Sequence, residues 1–163
     1  MRDIFLGAAL LLAAPAAAQP APGTLLPPVS PACISSPFGP RRLVGPHAAT
    51  FHRGIDLPAP AGAWVHAVLP GRVAEIRHLG SAGLEVTLMH GDPRRGGFAT
   101  RYAHLGTVAP ALANGQREVK AGEALGRVGR TGITYGTHLY FEVRVQGQPV
   151  DPEPYFAIPR CGG

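Results

Sequence analysis

Apolar residues recur along this chain in short runs with a period of two, divided by glycine and proline. Leu84, Val86 and Leu88 alternate with Glu85, Thr87 and Met89, the pattern of a strand with one buried face. Trp64 to Val68 and Arg72 to Ile76 flank a Pro70-Gly71 turn, and Phe98 to His104, Ala124 to Val128 and His138 to Val145 read as further strands. Gly91 to Gly97, with Pro93, Arg94 and Arg95, reads as a loop. No stretch carries a sustained helical period. Many short strands separated by turns predict an all-β domain, an antiparallel β-sandwich or open barrel. Trp64 is expected to pack in the core or at its rim, and Leu139 and Phe141 in the core.

The ends differ from this interior. In residues 1–18, Arg2 precedes an apolar run from Ile4 to Ala14, and Ala16, Ala17 and Ala18 follow as small residues. That is the pattern of a secretory signal peptide, and the run is too short to span a bilayer. No cysteine follows the expected cut before Gln19, so a lipoprotein reading has no support. No later segment is apolar for long enough to cross a membrane. The chain is expected to be secreted, with a periplasmic location. Residues 19–32 hold five prolines between Pro20 and Pro31 and predict an extended, uncored linker. The folded domain is expected over 33–163.

Charge narrows the partners. The formal net charge is +5, and Arg2 and Asp3 cancel within the signal segment. Lys120 is the sole lysine, and no dense basic run with interleaved aromatics is present, so nucleic acid is not an expected partner. The two cysteines are Cys33 and Cys161. In an exported chain they point to a disulfide, with two free thiols as the alternative.

The candidate chemistry lies in three segments. On a strand, residues two apart share a face, so His138, Tyr140 and Glu142 face one way and Leu139, Phe141 and Val143 the other. His52 and Asp56 are both zinc-ligand types, and Gly54 permits a turn that lets them approach one ion. His104 closes Tyr102-Ala103-His104-Leu105. His47, in a loop flanked by Gly and Pro, is expected to be exposed, His66 and His78 at the surface, and His90 structural.

Taken in order, these segments carry a family resemblance. Ser36-Pro37-Phe38-Gly39-Pro40-Arg41 leads to His52-Arg53-Gly54-Ile55-Asp56, then Pro60-Ala61-Gly62, Gly71-Arg72-Val73 and Tyr102-Ala103-His104-Leu105. Val119-Lys120-Ala121-Gly122-Glu123, Gly129-Arg130-Thr131-Gly132, Gly136-Thr137-His138-Leu139-Tyr140-Phe141-Glu142-Val143 and Pro149-Val150-Asp151-Pro152 complete the series. In order and spacing the chain resembles the M23 (LytM or lysostaphin-type) zinc peptidases from Ser35 to Phe156.

The resemblance implies a β-sheet domain with a narrow groove, one Zn2+ and peptide cross-links of bacterial peptidoglycan as substrate. It pairs His52 and Asp56 with two metal ligands. It pairs His104 and His138 with the catalytic histidines that orient water, move protons and stabilise the oxyanion. Tyr140 falls where a histidine is expected as third ligand. Three readings follow: weak ligation by Tyr140, substitution by His138 or His104, or no metal and binding without cutting. The function expected is therefore a zinc-dependent peptidoglycan endopeptidase. The alternative is a degenerate LytM domain that binds peptidoglycan or activates a separate cell-wall amidase. Pro60-Ala61-Gly62 and Val119 to Glu123 also resemble biotinyl and lipoyl carriers, but Lys120 precedes a Gly-Glu turn instead of sitting on a hairpin tip, which removes carrier function and leaves the shared all-β architecture.

Overall fold

Period-two patterning becomes a sheet whose register sets the site. The computed structural model describes residues 19–42 and 49–162; the expected signal peptide and His47 lie outside the described residues. The strands are β1 (Gly39–Pro40), β2 (Phe51–His52), β3 (Ile55–Pro58), β4 (Trp64–His66), β5 (Gly71–Leu79) and β6 (Gly83–His90). They continue with β7 (Phe98–Val108), β8 (Glu118–Val119), β9 (Ala124–Val128), β10 (His138–Val145) and β11 (Gln148–Val150). Strands β11, β10, β7, β6, β5 and β8 pair in that order, while β3 joins β10 and a β4–β9 pair joins β7. All these pairings are antiparallel. The all-β expectation therefore holds. No helix among the described residues is long and apolar enough to cross a membrane.

Alternation decides which side is core. Val86, Leu88, Tyr102, Leu139, Phe141 and Val143 are buried together with Ile55, Leu57, Val65 and Leu125. Tyr102 and Phe141 meet edge to face with ring centroids 5.3 Å apart, a geometry aromatic quadrupoles favour. His90 is structural: Nδ1 bonds the Pro70 carbonyl at 2.8 Å and Nε2 the Thr100 hydroxyl at 2.7 Å, and the ring stacks on Phe98. Trp64 sits at the rim under Arg127, whose guanidinium lies 3.6 Å from the ring centroid.

The Pro-rich segment departs from the uncored expectation. It is extended, but Leu25 and Val29 are buried in the core. Its backbone is tied down as well: Leu25 N–H donates to Tyr155 O, Leu26 N–H to Val68 O, and His66 N–H to Pro28 O. Proline fixes the backbone in an extended form, which here lets alternate apolar side chains reach a neighbouring surface. The Cys33–Cys161 disulfide joins the next residues to the C-terminal tail, beside an Ile34–Arg160 bridge.

Candidate active site

Register brings three distant segments together. Strand β10 pairs on one side with β3, placing Tyr140 opposite Asp56, and on the other with β7, placing Tyr140 opposite Ala103. Strand β2 then hands His52 into the same place through Gly54. A Cβ on Gly54 would lie 2.2 Å from the Phe141 carbonyl oxygen and 3.0 Å from Tyr140 Cζ, so only glycine permits this approach. His52, Asp56, His104, His138 and Tyr140 all line one groove of about 850 Å³.

His104 arrives by a device that alternation does not predict. Arg101 and Ala103 lie on the site side of β7, so a regular strand would turn residue 104 inward. Between the pairs Leu84–Leu105 and Val86–Tyr102, β7 carries one residue more than β6. This bulge holds His104 at φ 61°, a left-handed conformation that is uncommon for a residue with a side chain and costs on the order of 1 kcal/mol. Thr131 fastens it. Its carbonyl accepts from His104 Nδ1 at 2.9 Å, while its hydroxyl donates to Leu105 O and accepts from Leu84 N–H.

His52 and Asp56 form a pair with a defined polarity. His52 Nδ1 donates to Pro37 O at 2.9 Å, which in the neutral imidazole leaves Nε2 as an acceptor. That Nε2 is buried with no hydrogen-bond partner, although Asp56 Oδ1 lies 3.1 Å away. His138 Nε2 is 3.4 Å from the same oxygen. Arg41 holds the other carboxylate oxygen, donating to Asp56 Oδ2 at 2.8 Å and to the Ser36 hydroxyl at 3.0 Å. Burial alone would raise the Asp56 carboxyl, but His52, His138 and Arg41 more than offset it and hold it below the usual carboxylate value. Burial lowers His104, against its bond to the Thr131 carbonyl, so its imidazole favours the neutral form.

Tyr140 behaves differently from a ligand. Its ring lies 5.4 Å from that of His52 and 6.1 Å from that of His104, but its hydroxyl donates to Glu142 Oε2 at 2.6 Å. Burial pushes the phenol up, and the Glu142 charge and hydrogen bond push it further, so phenolate is strongly disfavoured. The retained pair, with its unpartnered buried Nε2, has the donor chemistry of a cation site. Among the described residues no three His, Cys, Asp or Glu side chains are arranged to hold a metal ion. The residues fit two-thirds of a three-ligand zinc site.

Three supporting groups carry no role in the sequence reading: Arg41, Thr131 and the Pro37 carbonyl. Arg41 and Thr131 do lie inside the Ser36–Arg41 and Gly129–Gly132 segments, so position in those motifs was the available signal.

Comparison with known proteins agrees with this arrangement. Residues 50–152 match the model of Peptidase family M23. The DD-carboxypeptidase/endopeptidase Mpg of Neisseria meningitidis serogroup B is 40% identical over 119 residues, 73% of this chain and 26% of that protein. The murein hydrolase activator NlpD of Salmonella dublin is 34% identical over 105 residues, 64% of this chain and 26% of that protein. A crystal structure of a zinc-containing peptidase from Vibrio cholerae superposes with a TM-score of 0.66 at 30% identity, covering 82% of this chain and 39% of that one. The chain spans about a quarter of the length of these curated relatives. With the sheet and its groove in place and 50–152 matched, the chain belongs to peptidase family M23.

Proposed function

We propose that this chain is an exported, degenerate M23 domain that binds peptidoglycan peptides without cutting them and acts through a separate cell-wall hydrolase such as an amidase. The observation that carries this reading is the Tyr140 phenol. It stands where the third zinc ligand is expected, yet its hydroxyl is committed to Glu142 and its ionisation is opposed by burial and by that carboxylate. A catalytic zinc generally needs three protein ligands and one open position. His52 and Asp56 alone supply two. The likeness to a murein hydrolase activator supports the same reading.

A second reading, a zinc-dependent endopeptidase, is favoured by the likeness to a DD-carboxypeptidase/endopeptidase and to a zinc-containing peptidase, and by the site itself. The unpartnered His52 Nε2 still faces Asp56 Oδ1, and His104 and His138 still line the groove.

Calorimetric zinc titration of the wild type beside Tyr140→His, with digestion of purified peptidoglycan followed by chromatography, separates the two. The degenerate site predicts no stoichiometric zinc and no released peptides from the wild type, with zinc uptake gained in Tyr140→His. One tightly held zinc per wild-type chain together with peptide cleavage would overturn the proposal.

A further inference from the structure

The His52–Asp56 pair is gripped from outside the sheet by one short strap, residues 33–37. Strand β3 pairs with β10 on one side, and on the other Asp56 meets Ser36 in an antiparallel bridge. Ser35 donates both its N–H (3.0 Å) and its hydroxyl (3.1 Å) to the Asp56 carbonyl, and Asp56 N–H donates to Ser36 O at 3.0 Å. The Ser36 hydroxyl accepts from Arg41, which also holds Asp56 Oδ2. Pro37 then sets its carbonyl against His52 Nδ1 at 2.9 Å. Three consecutive residues thus hold both members of the pair.

A carbonyl oxygen only accepts, so the Pro37 bond assigns the ring proton to Nδ1. In the neutral imidazole Nε2 is then a bare acceptor, buried and unpartnered, 3.1 Å from Asp56 Oδ1. That distance suits a hydrogen bond, and the other tautomer would make one, with Nε2–H donating to the carboxylate. Pro37 O prevents this by keeping the proton on the far side of the ring. His104 and His90 also donate through Nδ1 to backbone carbonyls, those of Thr131 and Pro70, and neither carbonyl belongs to the strap.

The strap is fastened at its far end to the C-terminal tail. Ile34 N–H donates to Pro159 O and Cys161 N–H to Ile34 O, both at 2.9 Å, and the Cys33–Cys161 disulfide closes the same end. Ile34 is buried, whereas Ser35 and Pro37 are exposed, so the strap is held by its ends and by its bonds to the pair. Cys161 is exposed as well, which opens the bridge to thiol–disulfide exchange.

We propose that the strap is the positioning element that sets the His52 tautomer, and that the Cys33–Cys161 bridge makes this setting redox-dependent. The inference is independent of whether the groove binds or cuts, because both readings use the same pair. A thiolate of a dithiol reductant attacks Cys161 Sγ, the S–S bond breaks, and Cys33 leaves as a thiolate and takes a proton. The second thiolate of the reductant then attacks its partner sulfur in the mixed disulfide. Cys161 is released as a thiol, the reductant departs as a disulfide, and two electrons have passed to the bridge. With the strap loosened, Pro37 O moves off Nδ1. The ring gives up that proton to water, takes one at Nε2 and turns it onto Asp56 Oδ1. The oxidised chain therefore presents two facing acceptors that a cation or an N–H donor can bridge, and the reduced chain closes the pair on itself.

The test is nitrogen NMR of the histidine rings of the mature chain, in chelator at about pH 8, above the unperturbed histidine value. Spectra are taken oxidised, in dithiothreitol and after reoxidation, with folding followed by circular dichroism. Dithiothreitol should open the bridge without denaturant, and the fold should persist. The ratio of Nδ1–H to Nε2–H at His52 should then fall about fivefold or more, the equivalent of one net hydrogen bond. Reoxidation should restore it, while His90 and His104 keep Nδ1–H throughout. Cys33→Ala with Cys161→Ala should show the reduced pattern with no dithiol present. A His52 ring that keeps Nδ1–H on reduction overturns the proposal. A bridge that opens only in denaturant, or a chain that unfolds once it opens, overturns it too, because the bridge then serves the whole fold and not the pair. Peptide cleavage by the oxidised chain overturns the non-catalytic reading alone and leaves the strap standing.

Discussion

Replacing Tyr140 by phenylalanine isolates what its hydroxyl does. The ring stays over Gly54 and beside His52, and only the 2.6 Å bond to Glu142 disappears. A hydrogen bond to a charged group contributes about 1.5–3 kcal/mol to stability. Glu142 is fully buried but keeps Arg101 and Arg144, so it is not left as a lone charge, and the lower part of that range applies. A loss of about 1.5 kcal/mol corresponds to a fall in Tm of roughly 3–6 °C for a chain of this size. Urea unfolding supplies the free energy and calorimetry the Tm. The same protein is then titrated with zinc. If the phenol serves Glu142 and not a metal, zinc affinity is unchanged from wild type while stability falls. An unchanged Tm combined with loss of zinc binding would refute the reasoning, because it would show that the hydroxyl leaves Glu142 to ligate as phenolate.

Other perturbations test the frame around the site. Gly54→Ala places a Cβ 2.2 Å from the Phe141 carbonyl and should cost about 2 kcal/mol or more by overpacking, read as a lowered urea midpoint. Reducing the Cys33–Cys161 bridge, which spans 128 positions, should destabilise by about 4–5 kcal/mol on the chain-entropy account, measured as a drop in Tm in reductant. Burial lowers His90 and His104, so the unfolded chain binds protons there that the folded chain does not. Stability should therefore fall as pH drops below about 6.5, the unperturbed histidine value. The stabilisation from Asp56, whose carboxyl is held low, is fully present above about pH 3.9 and is lost as pH falls further. Urea midpoints between pH 8 and 4 give the slope, which His90→Asn should flatten; a midpoint that is level or rises between pH 7 and 5 would count against this.

Much of the sheet was legible because alternation is a local property. Strands over Ala124–Val128 and His138–Val145 have the bounds read from sequence, and parity alone put His138, Tyr140 and Glu142 on one face. Three features were not legible, each for a non-local reason. His104 reaches the groove only through a bulge and a positive φ, and strict alternation would have turned it inward. Glu85 and Glu142 occupy positions that read as polar, yet they are buried because arginines on neighbouring strands cover them, and those partners follow from register. The segment 19–32 reads as a linker because its prolines dominate its composition. Leu25 and Val29, two of its four buried residues, depend on a core that also holds Val68, Tyr155 and Phe156.

The same register explains why one side chain redirects the whole centre. In the neutral imidazole His52 Nε2 is an acceptor 3.1 Å from Asp56 Oδ1, and the two repel unless a proton or a cation lies between them. A histidine at 140 would add a nitrogen as the third donor beside that pair. Tyrosine instead extends its oxygen to Glu142 and couples the centre to a ladder of buried charges reaching Arg77 three strands away. The coupling is separable from folding, because Glu142 keeps two guanidinium partners when the phenol is removed. Tyr140→His can therefore be made without unfolding the sheet, and its metal affinity reports on the donor set alone. If that variant folds and still takes no zinc, the spacing of His52 and Asp56, and not the residue at 140, is what excludes the metal.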